Sequence, residues 1–207
     1  ELGDFGRNRE GQIDLAAVVA QVHPTVLIGT STVAGAFSRE LVEEMARHCV
    51  HPVILPLSNP TSLAEAVPAD LLAWTGGRAL VATGSPFAPV ELPGGRREIG
   101  QCNNCFLFPG LGFATVALGL RAISDGMIDA GLQALAEWIP ASRNSMAPLM
   151  PALGDGAAVA AAVATAVASA GVREGLAREG ISQEQVPLLL QQARWLPTYP
   201  PLASSAV

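Results

Sequence analysis

Three short apolar runs, separated by longer amphipathic stretches, constrain the fold of this chain more than any other feature. They lie at residues 25–28, 53–57 and 79–82. Between them, residues 39–48 place their apolar side chains on one helical stripe, and residues 62–74 form a second predicted helix. A strand that is apolar throughout is typical of a parallel sheet covered on both faces. The pattern therefore predicts an α/β fold with a Rossmann-like parallel sheet and right-handed crossovers.

Small polar residues follow each of these runs. The three loops are Gly29-Thr30-Ser31, Ser58-Asn59-Pro60-Thr61 and Thr83-Gly84-Ser85-Pro86. In an open parallel sheet, ligands bind outside the carboxyl ends of the strands. The same residue types also cap helices and form turns, which is the simpler explanation for any one loop. Three such loops in succession favour a ligand site.

Local signals predict where the early helices begin. Asp14 is a candidate N-cap for a helix over residues 15–22. Ser62 and Glu65 stand three residues apart, as in a capping box. We therefore expect a helix to begin at Ser62 and to be renewed at Pro68, a favourable first-turn residue.

The region after residue 89 combines a hairpin, two asparagines and several helices. Strands near residues 90–92 and 96–99 flank a Pro-Gly-Gly turn. Asn103 and Asn104 lie between apolar runs, and they are costly to bury without partners. Local turn hydrogen bonds and a ligand role stay equally open for them. Further helices are predicted at residues 109–123, 127–137 (capped by Asp125), 156–170 and 182–194.

Composition limits the partners of the chain. Half of the 207 residues are apolar and 14% are charged, which favours a compact core. The net charge is −6 and no Lys/Arg cluster is present, so no nucleic-acid partner is expected. The apolar tract at residues 157–170 is too short to span a bilayer, so no membrane partner is expected. Three cysteines form no disulfide framework, which favours a reducing, cytoplasmic location.

Two motifs could indicate other chemistry, a thiol redox or metal site and a dinucleotide-binding loop, and both interpretations are disfavoured. Cys102 and Cys105 have thioredoxin-like spacing, but the predicted helix begins only after Pro109 and the histidines lie far away in sequence. Gly110 and Gly112 resemble half of a dinucleotide fingerprint without its third glycine. Close helix packing is the better explanation for these glycines.

Several motifs together resemble the NAD-binding domain of malic enzymes. The resemblance covers residues 24–131, and the ending at residues 195–199 is similar to the terminal motif of the family. Its most specific pieces are Ser58-Asn59-Pro60-Thr61, Gly84-Ser85-Pro86-Phe87, Gln101-Cys102-Asn103-Asn104 and Phe108-Pro109-Gly110-Leu111-Gly112.

The resemblance implies a function. Malic enzymes oxidise malate with NAD or NADP and then decarboxylate the bound oxaloacetate to pyruvate, using Mg²⁺ or Mn²⁺. By this resemblance, the substrate-binding residues are Asn59, Asn103 and Asn104. The cofactor-binding residues implied in the same way are Gly29, Thr30, Ser58 and Asn59.

The chain also departs from the family pattern. It contains no lysine, and its only tyrosine is Tyr199, whereas the family uses a lysine base and a tyrosine acid. In the family these groups, the metal carboxylates and the glycine-rich pyrophosphate loop lie upstream. We therefore expect the chain to be the C-terminal part of a malic enzyme, without catalytic or metal-binding residues of its own and inactive alone. The alternative is a non-catalytic nucleotide-binding or interaction module.

Two expectations concern organisation. Residues 1–138 are predicted to be the C-terminal portion of the Rossmann domain, and residues 139–207 a helical segment that packs on this core or on a neighbouring domain. The full-length protein is expected to form a homo-oligomer, a dimer or tetramer. The preference between NAD and NADP is not readable, because the region that would contact the ribose 2′ position is missing.

Overall fold

The computed structural model describes Arg7 and residues 11–144 and 146–195, and the chain divides into two compact units. The first unit contains residues 1–104 and 136–156, and the second contains residues 105–135 and 157–207. The chain thus leaves the first unit and returns to it. The predicted domain boundary at residue 138 does not coincide with a limit of either unit. The division of the chain into two domains at that residue stays a prediction.

The first unit alternates strands and helices as the sequence predicts. Its elements are α1 (Leu15–Val22), β1 (Val26–Gly29), α2 (Arg39–His48), β2 (Val53–Pro56), α3 (Pro68–Trp74), β3 (Leu80–Thr83), β4 (Val90–Leu92), β5 (Gly95–Arg97) and β6 (Gly100–Gln101). Strands β1, β2, β3 and β6 form one parallel sheet in that order. This arrangement confirms the α/β class. Strand β6 was not predicted from the sequence, because two residues are too few to show a periodic pattern.

Capping and burial explain the helices α1 and α2. The Asp14 carboxylate accepts a hydrogen bond from the Ala16 amide at 3.2 Å, which confirms Asp14 as an N-cap. The Ser38 hydroxyl accepts one from Leu41 at 3.3 Å. The apolar stripe of α2 lies in the core, with Leu41, Val42, Met45 and Ala46 buried.

Strand β1 differs from its prediction. Its residues alternate between exposed and buried, and 48% of Val26 and 57% of Ile28 are exposed. Only one face of β1 is covered within the described chain, so the prediction of a strand buried on both faces is wrong here. Apolar composition alone does not distinguish a covered face from an open one.

The start of α3 also differs from its prediction. Residues Thr61–Leu63 form a short 3-10 turn without a side-chain cap, and the helix begins at Pro68 with Val67 as its N-cap. The predicted helix start at Ser62 is therefore wrong. The side chain of Glu65 is fully buried instead, because it accepts hydrogen bonds from other loops.

The predicted hairpin is confirmed, since β4 and β5 pair in antiparallel fashion with Val90 opposite Arg97.

The second unit consists mainly of α4 (Phe108–Leu118), α5 (Asp125–Ala136), α6 (Gly156–Arg173) and α7 (Val186–Ala193). Helix α4 ends earlier than predicted, at the left-handed Gly119. Ser124, and not Asp125, caps α5 by accepting from the Met127 amide at 3.1 Å. A side chain at Gly110 would meet the Ala160 carbonyl at 2.6 Å, so close helix packing is confirmed there.

One helical stretch, Leu153–Arg173, is long and apolar enough to cross a membrane by length and composition. This stretch has 21 residues, whereas the expectation from the sequence considered only the 14-residue tract within it, which is too short to span a bilayer. Buried core helices meet the same criteria, and Val159, Val163 and Val167 of α6 are fully buried. The absence of a membrane partner stays a prediction.

Candidate functional site

The candidate site is the edge of the sheet where β1, β2, β3 and β6 end. All four strands are parallel, so their loops leave the same edge. Backbone hydrogen bonds continue past the strand ends and fix where each loop begins. They join Leu57 N to Gly29 O (2.8 Å), Gly84 N to Pro56 O (3.2 Å) and Cys102 N to Thr83 O (2.8 Å).

The carboxylate of Glu65 joins the first two loops. Its Oε1 accepts from the Ser31 amide at 2.7 Å and from the Ser31 hydroxyl at 2.8 Å. The same oxygen accepts from the Ser58 hydroxyl, and Oε2 accepts from the Ser58 amide at 3.4 Å. One buried carboxylate therefore connects the loop after β1 with the loop after β2.

These donors determine the ionisation of Glu65. Burial on its own raises the pKa of this carboxyl group. Hydrogen bonds from the Ser58 hydroxyl, from the backbone of Glu65 and from Ser31 outweigh burial and lower the pKa to about 2. Glu65 is therefore ionised at neutral pH, and its charge is compensated by hydroxyl and amide donors.

Two glycines allow the loops to approach closely. A Cβ at Gly84 would lie 2.0 Å from the Leu57 carbonyl oxygen, so any side chain there would force the loops after β2 and β3 apart. A Cβ at Gly29 would lie 2.5 Å from Cδ of Glu65. Both positions therefore require glycine for space.

Asn59 lies at the exposed end of the second loop. The Ser85 hydroxyl donates to the Asn59 Oδ1, and the Thr83 hydroxyl donates to the Ser85 carbonyl at 2.7 Å. The peptide bond between Asn59 and Pro60 is cis. Because the Ser85 hydroxyl engages one lone pair of the Asn59 amide oxygen, the NH₂ group and the second lone pair are the parts that a ligand would contact.

Asn103 and Asn104 follow β6 at the same edge. Asn103 is half-buried, and the exposed Asn104 begins a 3-10 turn, Asn104–Phe106. Because β3 separates β2 from β6, Asn59 and Asn103 leave the edge two strand spacings apart, roughly 10 Å. The predicted asparagines therefore share one edge of the sheet.

The predicted cofactor residues lie at this edge too. Thr30 is exposed, whereas Gly29 and Ser58 are buried, and the Ser58 hydroxyl is engaged with Glu65 and with the Thr32 amide. The ligand roles of these residues stay predictions. Sequence reasoning missed Glu65, because its spacing from Ser62 resembles a helix cap.

A group of side chains able to share a metal ion lies elsewhere. Within the described residues it consists of His23, Glu44 and His48, with 3.1 Å between the Nε2 of His48 and Glu44. Helix α2 runs back from the carboxyl edge, so its last residue, His48, lies near the start of β2. At the candidate site, Glu65 already accepts several hydrogen bonds. The described edge therefore does not fit a carboxylate metal site, and Mg²⁺ or Mn²⁺ stays a prediction.

A parallel sheet with polar loops at the carboxyl ends of its strands places this chain in the class of Rossmann-like α/β folds. Residues 3–172 match the family model for the malic enzyme NAD-binding domain. The chain belongs to the malic enzyme family.

Curated relatives agree with this assignment. The chain is 48% identical over 203 residues to NAD-dependent malic enzyme 3 of Bacillus subtilis strain 168, covering 98% of this chain and 35% of that protein. It is 46% identical over 192 residues to the NAD-dependent malic enzyme of Shewanella sp. strain MR-4, covering 93% and 34%. The chain thus spans about a third of the length of these relatives.

Solved structures show the same fold. The malic enzyme of Entamoeba histolytica matches with a TM-score of 0.67 and 24% identity, over 90% of this chain and 36% of that one. The malic enzyme of Pyrococcus horikoshii matches with a TM-score of 0.63 and 24% identity, over 86% and 36%. At this identity the likeness concerns the fold alone.

Proposed function

We propose that this chain supplies the cofactor- and substrate-facing loops of an NAD-dependent malic enzyme. The whole protein would oxidise (S)-malate and decarboxylate the product to pyruvate and CO₂. The observation that carries this proposal is that Asn59, Asn103 and Asn104 follow strands at the same carboxyl edge of a malic enzyme sheet. The similarity to NAD-dependent relatives favours NAD over NADP.

Amide side chains suit this task. An asparagine offers two donors and an acceptor without a charge, so it binds hydroxyl and carboxylate groups without titrating near neutral pH. In the proposal, the free NH₂ group of Asn59 contacts both malate and the cofactor ribose. Asn103 and Asn104 orient the malate hydroxyl and carboxylate, which lowers the entropic barrier to the reaction. Bound NAD supplies the hydride acceptor.

The remaining machinery is proposed to lie outside this chain. The tyrosine acid, the lysine base and the ligands of Mg²⁺ or Mn²⁺ have no counterparts among the motifs matched here. We propose a cytoplasmic homo-oligomer, a dimer or tetramer, in which the chain has no activity by itself. The absence of lysine in 207 residues fits both this proposal and a second candidate, a non-catalytic nucleotide-binding module with the same fold.

The test compares two proteins. The chain alone and the chain extended by the coding sequence that precedes it are each assayed for NADH formation with malate, NAD and Mn²⁺. We expect activity in the extended protein only. Robust turnover by the chain alone would contradict the missing machinery. An inactive extended protein that still binds NADH would favour the non-catalytic module.

A further inference from the structure

We propose that Glu65 is a positioning residue of the candidate cofactor site, which holds the loop after β1 and the loop after β2 in one arrangement. This inference rests on the proposed function and deepens it. Glu65 itself is fully buried, so it acts through Ser31 and Ser58 and does not touch a ligand.

The contacts of Glu65 join parts of the chain that are distant in sequence. Ser31 is 34 residues from Glu65, and Ser58 is 7 residues away. The Ser58 hydroxyl also accepts from the Thr32 amide at 2.9 Å. A continuous path of hydrogen bonds thus runs from Thr32 through Ser58 and Glu65 to Ser31, and fixes both loops at once.

This path also supports an unfavourable backbone conformation. Thr32 has a φ of 58°, in the left-handed region that β-branched residues rarely adopt. Its amide is held by Ser58, and the neighbouring Ser31 amide is held by Glu65. Such a conformation persists where the surroundings determine it. Because Thr30 and Ser31 are exposed at the site edge, Glu65 determines how this loop faces a ligand.

The chemistry of the contacts requires an acceptor. Every group that faces Glu65 here is an N–H or O–H donor, and a carboxylate only accepts. A glutamine retains one acceptor oxygen of the same reach, and its NH₂ group faces the weaker contact with the Ser58 amide. Glu65→Gln therefore preserves part of the path, whereas Glu65→Ala removes all of it.

A buried control separates positioning from general stability. Thr75 is 2% exposed, and its hydroxyl donates to the Leu71 carbonyl at 2.7 Å and accepts from the Ala79 amide at 3.1 Å. These contacts lie next to the start of β3, at the other end of the strand from the site. Thr75→Val removes a comparable buried polar bridge without touching the loops.

The experiment measures melting temperature, KM for NAD and kcat in the extended protein that contains this chain. We expect Glu65→Ala to raise KM for NAD about tenfold or more, Glu65→Gln to fall between it and wild type, and Thr75→Val to stay within about twofold. Ser31→Ala, an exposed change, should raise KM about threefold and serves if the Glu65 variants do not fold. If the KM for NAD of the Glu65 and Ser31 variants equals that of wild type and of the Thr75→Val control, the positioning role alone is overturned. A wild-type protein that neither reduces NAD nor binds NADH would overturn the proposed function and this role together.

Discussion

The carboxyl group of Glu65 lies against the α-carbon of Gly29, at the point where β1 ends. A methyl group on Gly29 would come within 2.5 Å of Cδ and 2.7 Å of Oε2 of this glutamate. The absence of a side chain at the strand end is therefore what admits the carboxylate between the two loops. Close approach, and not a special backbone angle, requires glycine at this position.

Gly29→Ala should disturb this contact directly. The added carbon displaces the Glu65 carboxylate from its donors, and we expect the free energy of unfolding to fall by about 1–3 kcal/mol. Urea unfolding of the chain measures this value. Gly112→Ala in α4 is the matched control, because nothing lies within 4 Å of its added carbon. That control should stay equal or gain up to about 1 kcal/mol. A Gly29→Ala variant as stable as wild type would contradict the contact.

Acidification should weaken the first unit. The folded-state pKa of Glu65 is lowered from 4.5 to about 2, so the unfolded chain takes up the proton first as the pH falls. The carboxylate contributes roughly 3 kcal/mol above about pH 5, and this contribution disappears between about pH 4.5 and pH 2. Urea unfolding of wild type and Glu65→Gln at a series of pH values isolates the contribution of the Glu65 carboxylate to the free energy of unfolding. The two stabilities should converge on acidification; a gap that does not depend on pH would argue against it.

Arg97 offers an independent prediction about buried charge. Only 6% of Arg97 is exposed, its Nη1 donates to the Ala79 carbonyl at 3.0 Å, and its Nε has no partner among the described residues. Burial lowers the pKa of this guanidinium. Because the described chain provides no ion pair for Arg97, Arg97→Met should change the free energy of unfolding by less than about 1 kcal/mol.

Two observations check the Arg97 prediction. Breaking a buried ion pair costs about 3–5 kcal/mol, so a loss of that size would reveal a counter-ion. The exposed neighbour Arg96, which contacts Glu98 at 3.0 Å, provides the control. Arg96→Met should change stability by less than about 0.5 kcal/mol.

Asn104→Ala tests the substrate edge. Asn104 is exposed at the start of its turn, so its removal should cost less than about 1 kcal/mol of stability. In the extended protein we expect kcat/KM for malate to fall about 100-fold, because the amide would contact malate in the transition state. Steady-state kinetics with malate and thermal unfolding measure the two effects. An unchanged rate would remove Asn104 from the site.

The alternation of strands and helices in the first unit could be predicted from the sequence because each element repeats its signal. The apolar runs locate β1, β2 and β3, and Asp14 caps its helix as expected. Strand β6 has two residues and thus no repeat to detect. The open face of β1 was not predictable either, because burial depends on what packs against the strand and not on its own composition.

The asparagines of the candidate site were predictable from the sequence, but the buried Glu65 was not. Asn59 stood out because it follows an apolar strand, whereas Asn103 and Asn104 were assigned to the site by the resemblance to the malic enzyme family. Glu65 did not stand out, since its spacing from Ser62 fits a helix cap equally well. Only the folded chain brings Glu65 to Ser31, 34 residues away. Long-range polar contacts of this kind have no local sequence signal.

The exposed edge of β1 has a practical consequence for anyone who purifies this chain. Val26 and Ile28 form an apolar surface on β1, which pairs with β2 alone among the residues that the structure describes. An apolar edge strand is a template for unwanted strand addition between molecules. Concentrated samples of the chain should therefore aggregate through β1 first, and a lysine in place of Val26 is the simplest way to keep them in solution.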